Sequence, residues 1–116
     1  MEQHGQVVFF KKYFREFYDS LDSKLKSKVD EVLFMIRIAE RIPSKFFRHM
    51  SGTDGLFEIR IEFRSNIYRV FCCFDEGNLV VLFNGFQKKS QKIPKQEIDR
   101  ALRIKDEYFD LKQKSK

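Results

Sequence analysis

In the first third of the chain, apolar residues recur every three to four positions, which is the spacing of one helix face. A short apolar run at residues 7–10 precedes this pattern and predicts a first strand. The first helix carries its apolar stripe over residues 13–21, and the second carries it over residues 25–39. Asp22 or Ser23 can cap the second helix. The pattern therefore predicts a strand followed by two helices with a shared apolar face.

From Leu56 onward the hydrophobic pattern changes to a period of two, which is typical of a strand with one buried face. The run LFEIRIEFR (56–64) alternates apolar and charged residues. IYRVFCCF (67–74) and LVVLF (79–83) follow after short polar connections, which predicts a meander of three antiparallel strands. Residues 44–55, which precede them, have no period and are predicted to form a loop.

A last helix is predicted from Pro94, because proline is favoured in the first turn of a helix and an apolar stripe follows it. The lysine-rich residues 111–116 are predicted to fray. The element order β-α-α-β-β-β-α indicates an α+β fold with an antiparallel sheet core, helices packed on one face and the other face open. A chain of 116 residues suits one compact domain, so we expect a single domain over residues 1–116.

The register of the predicted hairpin brings cations together on the open face. If Ser65 and Asn66 form the two-residue loop between the first two strands of the meander, Glu62 lies directly across from Arg69. Arg60 then lies diagonal to Arg69, about 7 Å away along the backbone. A phosphate could bridge two guanidinium groups at that separation.

A four-residue turn, DEGN, joins the second and third strands of the meander. With that turn one face is apolar in all three strands: Phe57, Ile59, Ile61, Phe63, Tyr68, Val70, Cys72, Phe74, Leu79, Val81 and Phe83. The open face collects the alternate side chains: Arg60, Glu62, Arg64, Arg69, Phe71, Val80, Leu82, Asn84, Phe86 and Lys88. Lys89 and Lys92 add a positive rim, and a nucleic-acid base could stack on Phe86. The open face is therefore a candidate site for a polyanion.

Plain structural interpretations of the same residues remain open. Charged residues in series on a solvated strand commonly form surface ion pairs of small energetic value. Phe86 could complete the core of its strand, and the lysines after it could belong to a solvated linker. The chain has 23 basic and 17 acidic residues, and its formal net charge of +6 favours a polyanionic partner without identifying one.

Cys72 and Cys73 are adjacent in a predicted strand and would face opposite sides, so we expect reduced packing residues rather than a disulfide. His4 and His49 are isolated from each other and from the cysteines, so we expect no metal and no cofactor. No apolar run approaches the roughly 18 residues of a membrane span, and residues 1–4 do not open a secretion signal. We therefore expect a cytoplasmic protein with no membrane partner.

Three segments occur in an order and at a spacing typical of one family. They are GLFEIRIEF (55–63), IYRVFCCF (67–74) and NGFQKKSQKIPKQEIDRAL (84–102). Together they resemble the RelE/ParE superfamily of toxins from bacterial type II toxin–antitoxin pairs, and most of all its phage-derived HigB-like branch. The resemblance covers roughly residues 55–103. The predicted N-terminal strand and helices also fit the layout of that family.

The resemblance implies a small RelE-like domain that is a metal-independent endoribonuclease and cleaves messenger RNA on the ribosome. It also implies a cognate antitoxin, often a helix-turn-helix protein encoded adjacently. Arg60 matches the basic residue of the first catalytic strand, and Arg69 matches the arginine of the next strand. Lys88 or Lys89 matches the basic group just past the last strand, and Phe86 matches an aromatic residue near that group.

Two positions depart from the family pattern. Glu62 stands where some members have another lysine, and Ile93 stands where the branch commonly has a threonine that could cap the following helix. Arg60, Arg69 and Lys88 are expected to stabilise the negative charge of the transition state, because they are cations. Neither arginine is expected to act as the base, because arginine stays protonated. Glu62 is the candidate base for the 2′-hydroxyl, and a lysine after the last strand is expected to protonate the leaving oxygen. The expected RNA-binding residues are Phe86, Lys89, Lys92 and Arg64.

Two other functions fit the same sequence. A ParE-like gyrase inhibitor uses this scaffold without RNA chemistry and would cause DNA breaks. A non-catalytic module that binds nucleic acid or an antitoxin would bind RNA in a salt-sensitive way and leave messenger RNA intact.

Overall fold

The structure of the chain is a computed structural model, and it describes residues 5–89 and 92–115. Its elements in chain order are β1 (Gln6–Phe9), α1 (Tyr13–Asp19), α2 (Ser23–Ile38), β2 (Phe47–His49), β3 (Phe57–Phe63), β4 (Asn66–Asp75), β5 (Leu79–Lys88) and α3 (Lys95–Lys114). The expectations about residues 1–4 and Lys116 lie outside the described residues. Within the described ranges, no helix combines the length and the apolar character that a membrane crossing requires.

The five strands form one sheet in the order β1-β5-β4-β3-β2. β1 is parallel to β5, and the other neighbouring strands are antiparallel. The predicted α+β fold and the meander of β3, β4 and β5 are therefore confirmed. The hydrophobic pattern does not predict β2, which falls in the expected loop of residues 44–55 and pairs with β3 at the sheet edge. A three-residue strand is too short to show alternation.

Helices cover both faces of the sheet, so the expectation of helices on one face only is wrong. One core layer lies between the sheet and the first two helices: Phe14, Leu25, Val29, Val32, Ile36, Phe47, Ile59, Ile61, Val70, Cys72, Val80 and Leu82. The other lies between the sheet and α3: Met50, Leu56, Phe71, Cys73, Val81, Phe83, Ala101 and Ile104. Val70 to Cys73 alternate between the two layers, because successive strand residues point to opposite faces. A sheet that is apolar on both faces must be covered on both.

The hairpin between β3 and β4 turns one residue earlier than predicted. Arg64 and Ser65 form its two-residue loop, and Phe63 pairs with Asn66. The φ angles of Arg64 and Ser65 are 50° and 67°, and positive φ at both loop positions is typical of the type I′ turn that suits the twist of a hairpin. Neither residue type signals this backbone, whereas asparagine does, which is why the sequence favours a loop at the next position.

The earlier turn moves the register of β4 against β3 by two residues. Every side chain therefore keeps its predicted face, but its partner changes. Arg60 lies directly across from Arg69, and Glu62 lies across from Ile67. The predicted pairing of Glu62 with Arg69 is wrong.

The loop between β4 and β5 has three residues rather than four, because Asp75 pairs with Leu79. A change of one residue reverses the facing of the strand that follows. Val80 and Leu82 therefore lie in the layer of α1 and α2. The predicted facing of residues 79–83 is wrong for this reason.

A β-bulge between Val70 and Cys72 restores the facing of the end of β5, because β5 has one more residue than β4 at that point. Beyond the bulge, Phe86 pairs with Arg69, and Lys88 lies two residues further along the same strand. Both side chains therefore lie on the predicted face, although the prediction contains neither the three-residue loop nor the bulge.

Two helix ends bear on the predictions. The side chain of Asp22, one of the two candidate caps of α2, accepts a hydrogen bond of 2.8 Å from the backbone N–H of Leu25. α3 continues through Lys114, into the C-terminal segment that is expected to fray. In its last turn, Lys112 Nζ lies 2.6 Å from Asp75 Oδ1, which ties this end of the helix to the end of β4.

The adjacent cysteines are buried, free thiols that lie in different core layers. Burial raises the pKa of Cys72 well above its ordinary value and that of Cys73 to about 11. The prediction that both are packing residues on opposite faces of the strand is confirmed.

Candidate phosphate-binding cleft

A cleft of about 420 Å³ is lined by residues of β2, β3, β4, the last residue of β5 and the segment before β2. Five cationic side chains, one carboxylate and two uncharged residues line it: Lys45, Arg48, Arg60, Arg69, Lys88, Glu58, Ser44 and Phe47. Three of these cations, Arg60, Arg69 and Lys88, are predicted catalytic residues. Since cations outnumber acids in this lining, the cleft should attract an anion.

Arg60 and Arg69 face each other across neighbouring strands. The side chain of Arg69 is 5% exposed and that of Arg60 is 37% exposed. Among the described residues, neither Arg60 Nε nor Arg69 Nε has a hydrogen-bond partner, although both atoms are buried. Buried donors are seldom left without a partner, and an anion in the cleft would satisfy them with charge-assisted hydrogen bonds.

Glu58 is the only acid in the lining of the cleft, and its side chain is 2% exposed. Its Oε1 accepts hydrogen bonds from Arg48 Nε at 3.0 Å and Arg48 Nη2 at 2.6 Å. Arg69 Nη1 lies 2.6 Å from the same oxygen, in an ion contact that lacks the angle of a hydrogen bond. Glu58 Oε2 is buried and has no partner in the described part of the chain.

Phe86 lies across from Arg69, and its ring packs against Phe71 with 5.6 Å between the ring centroids. The residue before it, Gly85, lets α1 approach the strand closely. A Cβ atom at Gly85 would lie 2.5 Å from Phe17 Cδ2, so a larger residue would displace the helix. Phe86 is half-buried and packs against the core beneath α3. This agrees in part with the alternative that Phe86 completes the core of its strand.

Glu62 does not lie where the prediction places it. Its side chain is 64% exposed, and its Oε1 lies 2.7 Å from Arg60 Nη2. It therefore neighbours Arg60 alone, because its partner across the hairpin is Ile67. Of the two carboxylates on this part of β3, Glu62 is the accessible one and Glu58 is the buried one.

The other predicted cations are spread along one edge of the site. Lys88 lines the cleft itself. Arg64 lies in the hairpin loop with its guanidinium carbon 4.9 Å from the centre of the Phe63 ring, and it does not line the cleft. Lys89 and Lys92 are exposed beyond the end of β5 and do not line it either.

Comparison with known proteins assigns the chain to a family. A family model described as "Phage derived protein Gp49-like (DUF891)" matches residues 16–106. The chain belongs to this Gp49-like family. It is also similar to a solved structure, "Crystal structure of archaeal RelE-RelB complex from Pyrococcus horikoshii OT3", at 19% identity and a TM-score of 0.55, covering 76% of this chain and 98% of that one. No curated protein matches the chain. The resemblance to the RelE superfamily and the RelE-like fold are confirmed.

Sequence reasoning missed five lining residues of the cleft in this Gp49-like protein, and two of these, Glu58 and Arg48, form an ion pair with each other. Glu58 shares the alternation of Arg60 and Glu62 along β3, so its face is visible in the sequence, but nothing there indicates its burial. Arg48 lies in the segment without a hydrophobic period, and only the pairing of β2 with β3 places it across from Glu58. A charged residue at an edge strand carries no signal of this kind in one sequence.

The expectation about metals stays a prediction for the Gp49-like chain. Within residues 5–89 and 92–115, no group of three or more His, Cys, Asp or Glu side chains is arranged to hold a metal ion. A chelator added to an activity measurement tests whether the reaction needs one.

Proposed function

We propose that this Gp49-like protein is the toxin of a type II toxin–antitoxin pair and cleaves messenger RNA on the ribosome in the cytoplasm. The observation that carries the proposal is the pairing of Arg60 and Arg69 in one cleft, with buried N–H donors that have no partner in the described residues. Two guanidinium groups with vacant donors suit a phosphate, which presents several acceptor oxygens within reach of both.

The proposed reaction is an attack of the RNA 2′-hydroxyl on the adjacent phosphate. It forms a 2′,3′-cyclic phosphate, releases the 5′ oxygen of the next nucleotide and needs no metal ion. Negative charge grows on the non-bridging oxygens in the transition state, and preorganised cations stabilise it. We assign this role to Arg60 and Arg69, with Lys88 at the cleft wall.

Proton transfer needs a base and an acid near the reacting phosphate. Glu62 remains the proposed base because it is exposed and lies beside Arg60, whereas Glu58 is buried and its Oε1 already binds Arg48. Lys88, the last residue of β5, is the proposed acid for the departing 5′ oxygen, since it lines the cleft and Lys89 and Lys92 do not.

Binding of the RNA chain extends beyond the cleft. We assign base stacking to the half-buried Phe86, whose pairing with Arg69 puts the ring next to the proposed phosphate position. Lys89, Lys92 and Arg64 are proposed to attract the RNA backbone, because exposed cations act on phosphates through long-range charge.

An antitoxin is the second proposed partner. The similar structure from Pyrococcus horikoshii OT3 is a RelE-RelB complex, and we extend that assembly to this chain as a proposal. The expected antitoxin is a helix-turn-helix protein encoded next to the toxin. A short adjacent reading frame whose product binds the toxin and stops its activity would support this part of the proposal.

Inducible expression followed by mapping of messenger 5′ ends tests the function. The wild-type chain is expected to produce new 5′ ends within translated regions, with 5′-hydroxyl termini, and added chelator is expected to leave the purified reaction unchanged. Arg60→Ala should abolish these ends. Arg103→Ala, an exposed arginine of α3, removes the same charge away from the cleft and should keep them.

The outcome separates the alternatives. DNA breaks with intact messenger RNA would replace the ribonuclease with a ParE-like gyrase inhibitor. Intact messenger RNA and intact DNA, together with salt-sensitive RNA binding by the purified protein, would leave a binding module without catalysis. Cleavage by Arg60→Ala at the wild-type rate would remove Arg60 from the site.

A further inference from the structure

The carboxylate of Glu58 has a contact pattern that structural burial alone does not explain. Its side chain is 2% exposed, and both ion contacts of 2.6 Å, to Arg48 Nη2 and to Arg69 Nη1, are made by one oxygen. The other oxygen, Oε2, has no partner in the described ranges. A buried acid that served stability alone would be expected to use both oxygens, because an unpaired buried acceptor costs free energy.

The strand pairing explains how the sequence brings these groups together. Arg48 on β2 lies directly across from Glu58 on β3. On the other side of β3, Glu58 lies across from Phe71 on β4, and Arg69 is two residues before Phe71 on the same face. Glu58 is therefore the residue from which both an edge-strand arginine and a central-strand arginine can be reached.

The contact with Glu58 leaves part of the Arg69 guanidinium without a hydrogen-bond partner. The 2.6 Å contact is made at Nη1, and Arg69 Nε is buried with no hydrogen-bond partner among the described residues. A carboxylate that bound Arg69 through two parallel hydrogen bonds would compete with a phosphate for the same donors. A contact at one nitrogen instead restricts the side chain and leaves donors for the phosphate.

We propose that Glu58 is a positioning residue, which holds the Arg69 guanidinium in the geometry that binds the scissile phosphate, with Arg48 as the second anchor of the carboxylate. We assign it no contact with the substrate, since its side chain is buried and its Oε1 is occupied by Arg48 and Arg69. The kinetic part of this inference rests on the proposed ribonuclease function. The geometric part concerns Arg69 and any phosphate.

A mutant cycle on the full-length protein tests the kinetic part. Glu58→Gln keeps the shape of the side chain and removes its charge. For each folded molecule, we expect kcat for ribosome-bound messenger RNA to fall at least about tenfold, because a small displacement of a catalytic cation costs that much or more, and KM to change less than about threefold. If Glu58 acts through Arg69, the double variant Glu58→Gln/Arg69→Ala should be no slower than Arg69→Ala alone. Multiplying losses would overturn the proposal.

Asp75→Asn is the matched control. Asp75 is also a buried acid, 7% exposed, and its Oδ1 lies 2.6 Å from Lys112 Nζ at the other end of β4. Its loss should lower stability and leave kcat for each folded molecule unchanged. If Asp75→Asn and Glu58→Gln lower kcat equally, the effect of Glu58→Gln is general destabilisation and the positioning role is wrong.

An NMR measurement decides the geometric part without catalysis. In the wild-type protein, the Arg69 Nε–H resonance is expected to be sharp and to shift when inorganic phosphate is added. In Glu58→Gln it should broaden or vanish, while Asp75→Asn keeps it. An unchanged Arg69 resonance in Glu58→Gln would overturn the proposal. A sharp, phosphate-sensitive resonance in a protein that cleaves no RNA would instead remove the proposed function and keep the role of Glu58.

Discussion

Two buried carboxylates with cationic partners lie on the α3 face of the sheet, Asp75 at the C-terminal end of β4 and Glu58 on β3 beside Arg69, and they differ in how completely they are satisfied. At the C-terminal end, Asp75 Oδ2 accepts a hydrogen bond of 2.6 Å from the Tyr108 hydroxyl, and Oδ1 accepts one of 2.6 Å from Lys112. On β3, Glu58 uses one oxygen for two arginines. Both acids lie at strand positions on the face that carries α3.

The Asp75 and Glu58 clusters differ in whether their buried polar atoms have hydrogen-bond partners. Both oxygens of Asp75 are paired with side chains of α3, so this cluster ties the helix to the sheet. The Glu58 cluster leaves Glu58 Oε2 and the Nε atoms of Arg60 and Arg69 without hydrogen-bond partners in the described residues, and it borders a cleft. A satisfied buried ion cluster is accounted for as a structural contact, whereas vacant donors beside a cleft are the feature on which the proposed phosphate site rests.

Truncation of one cation in each cluster should give the largest difference in cleavage rate between the two clusters. Arg69→Ala removes a donor that the proposed transition state needs, and cleavage should fall about 100-fold or more. Lys112→Ala removes a cation from the Asp75 cluster and should change cleavage less than about twofold. Single-turnover cleavage of ribosome-bound messenger RNA measures both rates.

The folded fraction must be measured beside those rates. The sequence suggests that Arg69→Ala spares the fold, because an arginine on an open face lies outside the core, but Arg69 is 4% exposed and its loss leaves Glu58 with Arg48 alone. Breaking a buried ion pair is strongly destabilising. Equal rates for the two variants, after correction for folding, would contradict the comparison.

Neutralising Asp75 should affect stability rather than activity. Asp75→Asn weakens the contacts with Tyr108 and Lys112, and the free energy of unfolding should fall by about 2 kcal/mol, which is typical of a buried hydrogen bond to a charged group. Urea unfolding at neutral pH measures the loss. A change below about 0.5 kcal/mol would mean that this cluster contributes no more than a surface ion pair.

The elements and most of the facing of the Gp49-like chain follow from its sequence. The helical stripe from Leu25 to Ala39 and the alternation of β3 carry enough repeats to define both period and face. The predicted face of the side chains at the end of β5 is also correct, but only because two features that the hydrophobic pattern does not show cancel each other. A three-residue loop and a β-bulge each change the facing by one residue, so Phe86 and Lys88 return to the face of Arg69.

The partners of each side chain are harder to predict than its face. A shift of two residues in register preserves the face, so apolar alternation cannot detect it. That shift decides whether Arg60 or Glu62 meets Arg69, and it depends on the positive φ angles of Arg64 and Ser65. β2 has three residues and no alternation, so the contact of its Arg48 with Glu58 is visible only in the folded chain.

Alkaline pH should lower the free energy of unfolding through Tyr108, whose hydroxyl belongs to the Asp75 cluster. Burial and the hydrogen bond to Asp75 raise the pKa of Tyr108 above its ordinary value of about 10. Above that pH the unfolded chain loses the phenolic proton while the folded chain keeps it, so the free energy of unfolding falls as pH rises. Tyr108→Phe should therefore lose stability less steeply between pH 10 and 11, by up to one proton in the slope.

The remaining slope of that variant comes from other groups, which serve as an internal check. Burial raises the pKa of Cys73 to about 11, so its thiol contributes in the same direction. Urea midpoints at pH 9, 10 and 11 for the wild type and Tyr108→Phe measure the difference. Parallel curves for the two proteins would show that burial and the hydrogen bond to Asp75 do not hold the Tyr108 proton in the folded chain.

The smallest expected effect concerns the exposed lysines beyond the end of β5. Lys89 is exposed directly after β5, and Lys89→Ala should weaken binding of single-stranded RNA roughly twofold to threefold near 0.1 M salt. The slope of log affinity against log salt should fall by about 0.7, because one phosphate contact is lost. Lys24→Ala, an exposed lysine of α2, removes the same charge on the opposite side of the sheet and should leave the slope unchanged. Equal slopes for the two variants would assign RNA attraction to the net charge of the whole protein rather than to the cluster in which Glu58 and Arg69 meet.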